Sequence, residues 1–143
     1  MNWVLLAGSV LGFIAMAMGA YTEHGLRSVI TTEMYDSLSM ALRINLMHAI
    51  LLAAIGLSLY TTLKTTLMRR LKKTAGVLVL ATVLFSFSIY LAAITQNEIF
   101  LKITPLGGIL AMLAWLLLFW VALSKNEDRP ANKDFYYFRK PGT

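Results

Sequence analysis

The chain has 143 residues, 58% of them hydrophobic, with no cysteine and a formal net charge of +6. A mean hydropathy of +0.68 is too high for an ordinary soluble domain. The missing cysteine excludes disulfides, thiolate metal sites and cysteine nucleophiles.

The first segment, residues 1–22, is uncharged and reads as a membrane span over about residues 3–22. Ala15-Met16-Ala17 looks like a signal-peptidase site, but Met-Asn-Trp lacks a basic leader region, so a retained helix is expected. Gly8 and Gly12 form a G-x-x-x-G pair that Ala15 and Gly19 extend into a stripe of small residues. In lipid such a stripe lets two helix backbones approach closely. Packing inside a bundle is the plain reading of it, and dimerisation the sharper one.

Residues 23–43 are polar enough to leave the hydrocarbon. Thr31 or Thr32 is a candidate cap for a helix whose first turns carry Glu33 and Asp36, acids suited to its positive end. The apolar spacing of Tyr35, Leu38 and Leu42 suggests a short interfacial helix, continuous with a second span over about 43–62. Ala49, Ala53 and Gly56 are its close-packing positions.

A basic connector, Lys64, Arg69, Arg70, Lys72 and Lys73, precedes the third span at about 74–95, which ends in the turn-like Thr95-Gln96-Asn97-Glu98. The fourth span, about 104–124, begins with Thr104 as a candidate cap, followed by Pro105 where its missing N–H is harmless. Gly107 and Gly108 bare the backbone of the next turn. The tail, residues 125–143, holds Phe135-Tyr136-Tyr137-Phe138 beside Arg139 and Lys140, which suits a headgroup-level anchor.

Ten of the thirteen basic residues lie in the 64–73 connector or the tail. Four spans place both segments on one side, and the positive-inside rule makes that side cytoplasmic. The expected fold is therefore all-α: one integral membrane four-helix up-and-down bundle over residues 1–124, both termini cytoplasmic, with an interfacial tail. A bacterial inner membrane is the expected location, and a mitochondrial inner membrane the alternative. Placed this way, the basic residues mark membrane ends and give no reason to expect a nucleic-acid partner. The lipid bilayer is the expected partner, together with other membrane-protein subunits.

Antiparallel spans bring several polar side chains towards the outer membrane boundary. Asn45 and His48 share a helix face; Ser86, Ser88 and Tyr90 lie in the outer half of the third span; Thr104 begins the fourth. Polar groups in lipid face inward and pair with one another. The candidate site is thus Asn45, His48, Ser86, Ser88, Tyr90 and Thr104, roofed by Glu23, His24 and Arg27. His48 is either a proton relay or ligand contact, or an interhelical hydrogen-bond partner. No acid lies inside a span to complete a relay. His24, beside Glu23, reads as a helix-end cap. Met16, Met18, Met34, Met40 and Met47 surround both histidines, but they form no Met-x-x-Met ladder, so no metal and no cofactor are expected. No nucleophile elbow, H-E-x-x-H or phosphate loop is present, and no enzymatic activity is expected.

Four stretches in order, Gly19-Ala20 with His24-Gly25-Leu26, Met47-His48-Ala49, Phe85-Ser86 with Ser88-Ile89-Tyr90, and Thr104-Pro105-Leu106-Gly107-Gly108 with Trp115, carry a resemblance. Together they resemble the YgdD-type small membrane proteins, the domain of unknown function 423, with which animal transmembrane protein 256 belongs. The likeness covers roughly residues 3 to 123. Glu23, Phe87 and Ala114 depart from the family pattern, which has small residues or glycine there. The resemblance implies a four-helix integral membrane protein and no particular activity. Two functions then remain in view: a non-catalytic accessory, assembly or structural subunit of a membrane complex, and a carrier for a small solute, ion or lipid at the cluster around His48.

Overall fold

The computed structural model describes residues 1–61 and 65–124; the aromatic tail and Lys64 lie outside the described residues. Four helical segments are long and apolar enough to cross a membrane: Trp3–Leu26, Thr32–Ser58, Thr65–Thr95 and Glu98–Leu123. The first is α1 (Trp3–Tyr21) prolonged by a π turn, Thr22–Leu26. The second is α2 (Thr32–Ser58), the third α3 (Thr65–Thr82), a π turn (Val83–Phe87) and α4 (Ser88–Thr95). The fourth is a 3-10 stretch (Glu98–Ile103) running into α5 (Thr104–Leu123).

The helix ends follow local chemistry. Asn2 caps α1 by accepting the Leu5 N–H, and its amide nitrogen donates to the Gly56 carbonyl 2.7 Å away. That second bond ties the start of α1 to the end of α2. Of the two threonine candidates, Thr31 is the cap of α2, accepting from the Met34 N–H. The interfacial helix and second span are one continuous element, which stops at Ser58 rather than near residue 62. The third segment begins at Thr65, so its basic residues are helical rather than in a loop. Gln96, with φ of 51°, ends α4 in the left-handed region.

Thr104 does not cap α5. The 3-10 stretch feeds directly into the helix, Ile103 occupies the cap position without a side-chain bond, and Asn97 caps the 3-10 stretch instead. The Thr104 hydroxyl is thereby freed to face a neighbouring helix.

Consecutive segments run antiparallel, as their contacts show. A Cβ placed on Gly8 would lie 2.7 Å from the Ala53 nitrogen and 2.9 Å from the Ala49 carbonyl oxygen; one on Gly56 would lie 2.6 Å from the Leu5 nitrogen. One on Gly12 would lie 3.6 Å from the Ala49 methyl. The small-residue stripe of α1 is therefore used inside the bundle, against α2, as far as Gly12. A Cβ on Gly19 would meet nothing within 4 Å among the described residues. On the far side Gly107 abuts the backbone of Leu84 and Phe85, and a Cβ on Gly108 would lie 3.8 Å from the Phe85 ring. A π turn packs one extra residue into the coil and pushes its backbone outward, so α5 meets the bulge with the residue that has no side chain.

Two apolar clusters form the core. One gathers Val4, Leu11, Ala49, Leu52, Ile55, Ala75, Leu78 and Ala114; the other gathers Leu26, Leu38, Ala41, Ile89, Tyr90 and Ala93. In α2 the first lies at and beyond Ala49 and the second at or before Ala41. The polar side chains occupy the gap.

Candidate functional site

Between the two clusters, α2 presents Asn45 and His48, both buried, to a third segment presenting Thr82, Ser86 and Tyr90, also buried. Those three recur every fourth residue, so they make one polar stripe along the helix. His48 Nδ1 lies 2.8 Å from Thr82 Oγ1, and the Thr82 hydroxyl is 2.8 Å from the Leu78 carbonyl. Thr82 has one hydroxyl proton and gives it to Leu78. The proton of the His48 bond is therefore assigned to Nδ1. Ser86 Oγ donates 3.0 Å across the interface to the Ala41 carbonyl.

Asn45 is only half satisfied. Its Nδ2 donates to the Tyr90 hydroxyl at 3.1 Å, while its buried Oδ1 has no hydrogen-bond partner among the described residues. Exchanging the amide oxygen and nitrogen would satisfy one atom and orphan the other. Tyr90 is also steadied by Phe87, whose ring centroid is 5.6 Å from its own. Ser88 points elsewhere, donating to the Phe85 carbonyl at 2.8 Å or sharing a 2.7 Å bond with Thr104 Oγ1. That pair joins α4 to the start of α5.

The expected cluster thus resolves into separate contacts. His48–Thr82, Ser86–Ala41 and Asn45–Tyr90 form a seam between the second and third segments, and Ser88–Thr104 a rivet to the fourth. The seam runs from the gap between the two apolar clusters into the second, which holds Tyr90 and Ala41, and so is not one compact group. Nor is it roofed as expected. Glu23 pairs with Arg27 at 2.6 Å and accepts from the Tyr35 hydroxyl, and the Arg27 guanidinium lies 5.4 Å from the Tyr35 ring centroid. The hydrogen bond to the Glu23 carboxylate raises the Arg27 pKa above its ordinary value. This exposed clip ties the end of the first segment to the start of α2, and His24, exposed beside it, takes no part. Among the described residues no three histidine or carboxylate groups converge on a common point.

Thr82 escaped the sequence reading. Its signal was the four-residue spacing to Ser86 and Tyr90, which runs the polar stripe a turn deeper than the outer half of the span. The π turn at Val83–Phe87 had no sequence signal, since helix-compatible residues fill it.

The model of a family described as protein of unknown function (DUF423) matches residues 18–108. The chain belongs to that family. The matched residues enclose the whole polar seam and Gly107. A UPF0382 membrane protein of Staphylococcus saprophyticus is 30% identical over 118 residues, covering 82% of this chain and 94% of the relative. One of Haemophilus influenzae is 28% identical over 117 residues, covering 82% and 90%. The UPF0382 inner membrane protein YgdD of Escherichia coli is 28% identical over 121 residues, covering 82% and 86%. No solved structure matches the chain. The DUF423 chain is thus a membrane protein with four candidate spans, and these three relatives are bacterial, one of them named for the inner membrane. No enzymatic activity appears in any of these names.

Proposed function

We propose that this protein is a non-catalytic accessory or assembly subunit of a membrane complex, with both termini on the cytoplasmic side. The reading rests on how unevenly the helices are used. α5 buries only Gly107 and Ala114, and leaves Met112, Leu116, Phe119 and Trp120 exposed. That broad apolar face meets lipid in the membrane, and it is free for a helix of another subunit to pack against. Meanwhile the internal polar groups close on one another through hydrogen bonds, as expected of packing glue. The even number of spans and the Arg69, Arg70, Lys72, Lys73 cluster support the orientation. Site-specific photocrosslinking from position 116 in native membranes tests the proposal. The expected product is a discrete adduct with one identified membrane protein, lost when the probe sits at buried position 78. Adducts with lipid alone from position 116 would overturn it.

A second reading is favoured by one observation, the orphaned Asn45 Oδ1 buried near His48. A carrier for a small polar solute or ion would use such an acceptor. In reconstituted vesicles a carrier role requires that His48→Ala alter solute binding or transport; unchanged behaviour removes it.

A further inference from the structure

At the end of the bundle where α1 starts and α2 stops, an open cavity of about 280 Å³ is lined by Met1, Asn2, Trp3, Leu59, Tyr60 and Lys72. We propose that this cavity binds the phosphate-bearing headgroup of an anionic glycerophospholipid.

The walls are fixed by the Asn2 side chain, which caps α1 and donates to the Gly56 carbonyl at 2.7 Å. Both of its functional atoms are thus occupied, and the charged side chain in the lining is Lys72. Lys72 is exposed, and among the described residues the salt bridges are confined to Glu23–Arg27, far along the chain. Its helix neighbours Arg69, Arg70 and Lys73 are exposed as well and add to the positive potential. The first turn of α1, opening beside the cavity, contributes the positive end of a 19-residue helix.

The surroundings select a lipid over a free anion. Trp3 and Tyr60 line the opening, the aromatic side chains that settle at headgroup level. Leu6, one turn deeper than Trp3, and Leu57, three residues before Tyr60, are exposed to the hydrocarbon where acyl chains run. Among the described residues the lining contains no acid to pair with the ammonium of a choline or ethanolamine headgroup. Net negative headgroups are therefore preferred, as in basic pockets between membrane helices generally.

The full chain in a neutral detergent, titrated with phosphatidylglycerol, phosphatidylcholine or inorganic phosphate and followed by native mass spectrometry, tests this site. Phosphatidylglycerol should be retained in preference to phosphatidylcholine, with phosphate producing neither retention nor competition. Lys72→Gln should weaken phosphatidylglycerol retention roughly fivefold, the effect of one basic residue at a membrane surface. Lys72→Arg should restore it, and Lys102→Gln, at the other end of the bundle, should leave it unchanged. Equal retention of the two lipids, competition by phosphate, or equal losses from Lys72→Gln and Lys102→Gln would each overturn the assignment.

Discussion

The bundle joins its helices in two different ways. Between α1 and α2 the contact is backbone on backbone: Gly8 against Ala49 and Ala53, Gly56 against Leu5. Between α2 and the third segment it is side chain on side chain: His48 with Thr82, Asn45 with Tyr90, and Ser86 reaching the Ala41 carbonyl. Lipid gives no hydrophobic drive for helices to associate, so each seam depends on something else. The first depends on dispersion at close range, which tolerates no added volume. The second depends on matched donors and acceptors, which tolerate changes in shape better than the loss of a partner.

The comparison breaks most sharply at Gly56. A Cβ there would lie 2.6 Å from the Leu5 nitrogen and 2.7 Å from its Cα, neither of which can rotate away. Gly56→Leu should destabilise the protein by about 3 kcal/mol, the upper end for overpacking, and separate α1 from α2. Unfolding in mixed micelles measures it. A stability within about 0.5 kcal/mol of the parent would show that the close seam does not hold the fold.

The two seams were also unequally legible in the sequence. Gly8, Gly12, Ala49, Ala53 and Gly56 announce themselves through small residues at helical spacing, and the structure packs all five into the α1–α2 contact or beside it. The polar residues are just as visible, because charged and hydroxyl side chains are sparse in these spans. Their pairing was not. A side chain's partner depends on helix rotation and on the inserted turn at Val83–Phe87, which no composition rule reports. Ser88 and Tyr90, two residues apart, consequently serve different neighbours, Thr104 and Asn45. The expected roof failed for a simpler reason: Glu23 found a cation and a phenol closer at hand.

The polar seam yields an intermediate effect with a distinctive sign. Tyr90→Phe removes the sole partner of the Asn45 amide and leaves both of its polar atoms buried and unpaired. The expected loss is about 1–2 kcal/mol, because an orphaned group is worse than an absent one. Asn45→Leu removes the orphan together with its donor at similar volume, but it leaves the buried Tyr90 hydroxyl without its partner and should itself cost about 1 kcal/mol. Adding Asn45→Leu to Tyr90→Phe should therefore recover most of the stability that the tyrosine change lost. Additive losses in that double-mutant cycle would mean that the amide is satisfied by something other than Tyr90.

The smallest effect falls at Gly19, the last member of the stripe that Gly8 begins. A Cβ added there meets nothing within 4 Å among the described residues, so the volume that breaks the α1–α2 seam at Gly8 finds open space about three turns further on. Leucine also favours the helix over glycine by up to about 1 kcal/mol. Gly19→Leu should consequently be neutral or slightly stabilising, with the oligomeric state in detergent unchanged. The variant distinguishes the two meanings of a small-residue stripe on this helix. If it destabilises as Gly56→Leu does, or dissociates an oligomer, then the open space beside Gly19 is filled in the membrane by a second copy. A neutral result confines the function of the stripe to the interior contact with α2, where Gly8 and Gly12 already account for it.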